Sequence, residues 1–348
     1  MASTRLDIGN ELLSTTMHIV MKEWRDNIYT STAFLEAQTR VHGEGQPTQA
    51  GGTRIVTPLG FGEHSKTTKM ETGYERIDLS VSDVFQPAVY DFGHVVRPVA
   101  ISSEEEMTNQ GDAAILSILE NRVTSVANAL KREYVKHMVQ GGVSEWDKWN
   151  TLNGIDETDG FLENAAAGSG SQAADVGGVS KATFSSKTGW NNQFFDIADS
   201  FNSNGLAGLY DLMVEINAVS AQGNPNVILA SRGGFKNLKR ALQASERYMD
   251  EKSLDGGRMS TTFQGVPIDV EYYMPNAGTT SSTTEASFYF LNMNDIYTLW
   301  DPKGYFDLSD FETVSGEYDV RAAKLRCRGQ LIAKHLGSSG LAVNGDTF

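Results

Sequence analysis

The stretch from Ser102 to Gln140 constrains this fold more than any other part of the chain. It opens Ser102-Ser103-Glu104-Glu105-Glu106, and either Ser102 with Glu105 or Ser103 with Glu106 fits a capping box, in which side chains satisfy the free amides of a helix start. Three carboxylates at that end also suit the positive pole of a helix dipole. Ile115, Leu119, Val123, Val126, Leu130, Tyr134 and Met138 recur every three or four residues, so they share one helical face. No proline interrupts the run, and Gly141-Gly142 supplies a stop. The pattern predicts a spine helix over 103–140, on the order of 50 Å long. Asn109-Gln110-Gly111 is its weak point, where a kink is expected.

The length suits one large domain or two smaller ones. The net charge of −15 argues against a broad nucleic-acid-binding surface; it does not exclude a protein that encloses nucleic acid and must not stick to it. Cys327 is the only cysteine, which excludes an intrachain disulfide and a Cys-rich metal site. No apolar run is long enough to span a bilayer, and the start, Met1 to Asp7, lacks the basic and apolar regions of a signal peptide. The six histidines form no HxxxH, HxH or HExxH pair. Neither a GxSxG elbow nor a Walker sequence occurs. No catalytic residue, cofactor or metal is therefore expected.

Residues 1–52 have the character of an arm. A short amphipathic helix is predicted from Glu11 to Trp24, and the segment 43–52, rich in Gly, is expected to be a flexible joint. Trp24, Tyr29 and Phe34 imply that the arm lies against something. Thr53 to Val84 predicts a long hairpin, one arm over Arg54 to Leu59, the other alternating Ile77, Leu79 and Val81 with polar residues. Two strands alone are marginal in water, so this hairpin is expected to lean on the rest of the chain or on a neighbour. Ala88 to Ile101 is extended. Asp156 to Gly160 lacks the ligand spacing of a calcium loop and is expected to be a solvated turn, a calcium site being the lesser alternative; Ala165 to Lys187, rich in Ala, Gly and Ser, is expected to be a mobile surface segment.

Helices are predicted at Leu206 to Val219 and Arg232 to Gln243, with a short strand, Asn226 to Ala230, between them. That alternation suggests an α/β unit. Further strands are expected within Thr261 to Tyr273, Ser287 to Asn292 and Tyr297 to Trp300. Near the end, Ala323, Leu325, Cys327, Gly329, Leu331 and Ala333 alternate with Lys324, Arg326, Arg328, Gln330, Ile332 and Lys334. This predicts a strand with one small or apolar face and one mostly basic face, which invites an acidic partner.

The order of these parts resembles the major capsid protein of tailed double-stranded DNA bacteriophages, the Hong Kong ninety-seven type coat fold. The matching stretches are Ile101 to Met107, Asn226 to Ser231, Phe263 to Ile268 with Met274-Pro275, Phe288 to Asn292, and Val320 to Arg326. The resemblance implies an α+β chain with an N-terminal arm (1–52) and an extended loop (53–87). It further implies a peripheral domain (88–189) on the spine helix, an axial α/β domain (190–317), and a return to the periphery (318–348). It implies a structural protein, not an enzyme, that self-assembles as hexamers and pentamers of an icosahedral head. That head would enclose double-stranded DNA without specific binding, be found in the virion after assembly in the host cytoplasm, and have no membrane association. Some relatives carry a scaffolding domain ahead of the loop; the short arm here points to a separate scaffolding protein, besides a portal. Some relatives also cross-link through a lysine at the loop tip. Lys66 and Lys69 lie near this tip, but no asparagine and carboxylate partners stand out, so that chemistry is not carried over. The candidate intersubunit contacts are Lys66 and Lys69, the carboxylates Glu104, Glu105 and Glu106, and the cations Arg321, Lys324, Arg326 and Arg328. An encapsulin-type compartment shell is the alternative on the same fold, and a cytosolic α/β enzyme with a site assembled only in three dimensions is a third reading.

Overall fold

A computed structural model describes residues 33–43, 47–61, 69–71, 73–74, 76, 84–108, 118–155, 160–167, 171–183, 188–197, 200–220, 223–243, 261–275, 286–313 and 319–345. In chain order the elements begin with helix α1 (Ala33–His42), strands β1 (Arg54–Gly60), β2 (Phe85–Asp91) and β3 (Gly93–Ser102), and helices α2 (Ser103–Thr108) and α3 (Ile118–Gln140). Next come β4 (Asp175–Val176), β5 (Val179–Ser180), β6 (Gln193–Asp196), α4 (Leu206–Val219), β7 (Val227–Ala230) and α5 (Arg232–Gln243). The remainder is strand: β8 (Thr261–Phe263), β9 (Val266–Val270), β10 (Ala286–Leu291), β11 (Ile296–Trp300), β12 (Asp307–Leu308), β13 (Glu312–Thr313), β14 (Val320–Ala333) and β15 (Gly340–Val343).

A six-stranded sheet, in the order β6-β15-β10-β7-β9-β8, divides the apolar interior in two. Ile228, Ala230, Phe288, Phe290 and Ala342 project from one face and pack under α4 and α5. Val227, Leu229, Tyr289, Leu291, Leu341 and Val343 project from the other into a larger core built on α3. Strands β7, β10 and β15 are buried on both faces, which is why their sequences are nearly unbroken apolar runs rather than alternating ones. Ser231 caps α5 by accepting from the Gly234 amide at 2.9 Å, so the strand-to-helix turn at this point is short.

The predicted spine is present as two described helices, α2 and α3, and the residues between them (109–117) lie outside the described set. Leu130, Tyr134 and Met138 are fully buried, as the periodicity requires. Tyr134 sits among Trp146, Trp149, Trp300 and Phe306, with ring centroids 5.2–6.0 Å apart. The glycine stop holds: Gly141 takes φ +79°, and its amide donates to the His137 carbonyl at 2.9 Å. The following loop satisfies further carbonyls at the helix end, with the Leu152 amide donating to Met138 and the Asn153 side chain to Gln140.

Four expectations are corrected. First, β1 pairs with β2, inside a stretch expected only to be extended; of the hairpin arm expected over 76–82 only residue 76 is described. Pro58 and Pro87 face each other in this ladder, and proline masks a strand signal because it cannot donate to a partner. The inward residues Ile55, Leu59, Ala88 and Tyr90 join the larger core, so the base of the hairpin leans on its own subunit. Second, the arm is not a free joint at 47–49. Trp300 bonds to Pro47 and Gln49 on either side, at 2.9 Å each, and α1 is anchored by Arg40–Asp269 at 2.8 Å. Phe34 is fully buried against Tyr134, while Trp24, Tyr29 and the helix predicted over Glu11 to Trp24 fall outside the described residues.

Third, the described part of the segment 165–187 is packed rather than a mobile surface. Lys181 is fully buried and its ammonium donates to the Phe161 carbonyl at 2.8 Å, 3.1 Å from the Glu163 carboxylate. Small residues there allow close approach, not mobility; the Gly177 carbonyl accepts from the Val89 amide at 2.8 Å. Fourth, sheet membership cuts across the division drawn at residue 317. Strands β11, β12 and β13 pair with β14 in a five-stranded sheet, whereas β15 lies inside the six-stranded one. Sequence order could not reveal this, because strand pairing between distant segments leaves no local pattern. The turn at 156–159 is outside the described residues.

Candidate assembly surfaces

Strand β14 is the axis of the five-stranded sheet. β3 runs along one edge, from Ser102 opposite Val320 to Gly93 opposite Gly329. β13, β12 and β11 follow one another along the other edge. Residues directly opposite in a ladder share a face. One face therefore carries His94, Val96, Pro98 and Ala100 with Ala322, Lys324, Arg326 and Arg328, and Asp307 beside Arg326. His94, Val96, Pro98, Ala100, Lys324 and Arg326 are exposed, so this is an open sheet face. The opposite face carries Val99, Ala323, Leu325 and Cys327 into the interior, and Arg97 reaches Glu133 on α3 at 2.6 Å.

The candidate cations separate on this frame. Arg328 is engaged within its own subunit: it bonds Asp301 at 2.6 Å, donates to the Gly52 carbonyl at 3.1 Å, and lies 4.8 Å from the Phe92 ring centroid. Lys324 and Arg326 have no ion-pair partner among the described residues. Arg321 has the parity of the buried residues and projects to the other side of the sheet, where the strand has run past the core. It does not share a face with Lys324, Arg326 and Arg328.

The carboxylates separate as well. The Ser102–Glu105 capping box forms, with the Ser102 amide donating to Glu105 and the Glu105 amide to the Ser102 hydroxyl, both at 3.2 Å. Arg122 grips the same carboxylate through two bonds and also donates to the Ala100 carbonyl at 3.0 Å. The Arg122 bonds, then the Ser102 amide, pull the Glu105 pKa down from 4.5 to about 2. Ser103 donates to Asp319 at 2.7 Å, tying the same corner to the start of β14. Glu104 is exposed, and the Glu106 side chain lies outside what the structure describes. The structure thus brings Glu105 to Arg122, not to any of the candidate cations.

At the loop, Lys69 pairs with Glu71 at 2.5 Å and Lys66 is outside the described residues. The hairpin adds a surface that sequence reasoning missed. Ile55, Thr57 and Leu59 point inward, so Val56, Pro58, Val89, Pro87 and Phe85 share the outer face. Val56 is 59% and Phe85 76% exposed, and the Arg54–Asp91 pair at 2.8 Å closes one end of this apolar strip. The signal was available: β1 carries apolar residues at both parities, one set more than a half-buried strand needs. Among the described residues no group of His, Cys, Asp and Glu could hold a metal ion, and no helix is long and apolar enough to cross a membrane.

No family model matches the sequence, and no curated protein does. Solved structures match nearly end to end. The capsid subunit of cyanophage A-1(L) superposes with a TM-score of 0.66 at 14% identity, over 98% of this chain and 99% of that one. The capsid of an empty GTA particle gives 0.63 at 12% identity, over 99% and 100%. The chain has the tailed-phage coat fold. The SrpI encapsulin of Synechococcus elongatus shares this coat fold less closely, with a TM-score of 0.52 at 10% identity over 97% and 95%. On the coat fold, the open face of the β14 sheet and the apolar strip of the hairpin are two separate outward surfaces of one subunit.

Proposed function

We propose that this chain is a structural shell subunit, the major capsid protein of a tailed phage, which self-assembles into a closed head around double-stranded DNA. The observation that carries this reading is the end-to-end match to the cyanophage capsid subunit, without a large insertion or missing part on either side. The exposed apolar strip of the hairpin supports it, because apolar side chains clustered on a solvent face mark a surface that a neighbour covers. Contacts between copies are individually modest and repeat around every axis of the shell. Lys324 and Arg326 on the open sheet face, with Glu104 at the helix start, remain candidates for ion pairs between copies. One such exposed pair contributes only about 0–1 kcal/mol, so repetition supplies the strength. Hexamers and pentamers, a portal and a separate scaffolding protein are the partners of this reading, and the virion, after assembly in host cytoplasm, is the place. The net charge of −15 suits an inner wall that does not hold phosphate tightly.

An encapsulin-type compartment is the second reading, favoured by the likeness to the SrpI shell. Electron micrographs of the protein purified from expressing cells test the common part: closed shells, tubes or rings are expected, and a dispersed monomer would overturn it. Neighbouring genes then separate the two. Terminase and portal genes are expected; a cargo-enzyme gene in their place favours the compartment.

A further inference from the structure

Helices α4 and α5 cover the same face of the six-stranded sheet and turn strongly contrasting outer surfaces to solvent. Helix α4, Leu-Ala-Gly-Leu-Tyr-Asp-Leu-Met-Val-Glu-Ile-Asn-Ala-Val, carries Asp211 and Glu215 and no cation. Helix α5, Arg-Gly-Gly-Phe-Lys-Asn-Leu-Lys-Arg-Ala-Leu-Gln, carries four cations and no carboxylate, in a chain of net charge −15. The exposed cations are Arg232, Lys236 and Arg240, spaced i, i+4, i+8, so they form one ridge along the helix. Like charges at that spacing weaken the helix that bears them, so the ridge is not there for the helix's own sake.

The outer surface of α4 has two ridges at the same spacing. Tyr210, Val214 and Ala218 form an exposed apolar one, with Val214 63% accessible; Asp211 and Glu215 form an acidic one beside it. Among the described residues neither Asp211 nor Glu215 has an ion-pair partner. Asp211 to Glu215 and Arg232 to Lys236 each advance about 6 Å along a helix, and four-residue ridges interdigitate when two helices pack.

We propose that the outer face of α4 in one copy of this chain seats against the cationic ridge of α5 in a second copy, with Tyr210 and Val214 buried at the centre. Matching charge, matching ridge spacing and an apolar strip between them select a second copy as the occupant. This rests on the reading of the chain as a shell subunit and adds which surfaces meet.

The test uses full-length protein in three variants: Asp211→Lys with Glu215→Lys, Arg232→Glu with Lys236→Glu, and all four together. Particle yield is read by sedimentation and micrographs, subunit folding by circular dichroism, and duplex DNA binding by filter retention. Each double variant is expected to fold and to lose at least tenfold in particle yield, and the fourfold variant to recover most of it. A folded double variant that assembles like the wild type overturns the inference and leaves the shell reading standing, as does a fourfold variant no better than its parents. The Arg232 and Lys236 variant assembling normally while losing DNA binding would assign the ridge to DNA instead. A wild type that forms no assembly overturns both. If a double variant does not fold, Val214→Ser replaces it, and unchanged yield in that variant is again an overturning result.

Discussion

Arg122 holds both oxygens of Glu105, at 2.7 and 2.8 Å, and so joins the first turn of α2 to α3 across the described chain. The same carboxylate closes the Ser102 capping box. Its folded pKa, about 2, lies below the ordinary 4.5. A depressed acid contributes stability that is whole above the unfolded pKa and is lost as pH falls through the folded one. Stability should therefore drop between pH 4.5 and about 2, and Glu105→Gln should flatten that part of the curve in thermal melts. Ser102→Ala should cost about 1 kcal/mol at neutral pH, since one cap is lost.

Lys181 and Glu163 make a second pH-dependent pair. Burial pulls the Lys181 pKa from 10.5 down to about 8, partly offset by Glu163. Here the unfolded state binds more protons between pH 8 and 10.5, so this group adds stability as pH rises through that window. Lys181→Met should remove that rise. Lys181→Ala, which leaves the Glu163 carboxylate without its cation, should destabilise by about 3–5 kcal/mol in denaturant titrations.

Gly208 lies inside α4, where alanine is ordinarily the better helix former. An added Cβ would sit 1.9 Å from the Phe195 ring, so the ring or the helix must move. Gly208→Ala should destabilise by about 1–3 kcal/mol despite its helix propensity. A melting temperature equal to or above the wild type's would show that Phe195 gives way freely.

The apolar strip of the hairpin predicts a separation of folding from assembly. Val56→Ser with Phe85→Ser removes surface that the isolated subunit leaves in water. Subunit stability should change by about 0.5 kcal/mol or less. Particle yield should fall severalfold, as sedimentation would record. Unchanged yield would mean that the strip is not covered in the shell.

Local patterns carried well from sequence to structure. The bounds of α4 and α5 coincide with those expected, because each has a clean apolar face and a clear end. The inward set of β14 from Ala323 to Cys327 followed from period-two alternation; beyond it Gln330 and Ile332, expected on the outer face, are buried as well, because the strand is covered on both sides there. Proximity in sequence groups Arg321 with Lys324, Arg326 and Arg328, although its parity puts it on the other side of the sheet. Other arrangements are non-local and leave no pattern in the sequence. Glu105 was grouped with its neighbours, and only the fold shows that Arg122 engages it. The packing of Lys181 was hidden by a segment of Ala, Gly and Ser that had the composition of a loose surface.

Strand β15 lies between β6 and β10, parallel to the first and antiparallel to the second. Residues 340–343 are thus the last of the described strands in chain order and an interior strand of the sheet. Until they arrive, β6 has no strand to bond with, and α4 has no Gly340 beneath Leu212 and Ile216. A nascent or truncated chain ending before residue 340 therefore lacks a finished α/β unit. Synthesis must therefore pass residue 343 before the sheet beneath α4 and α5 can close.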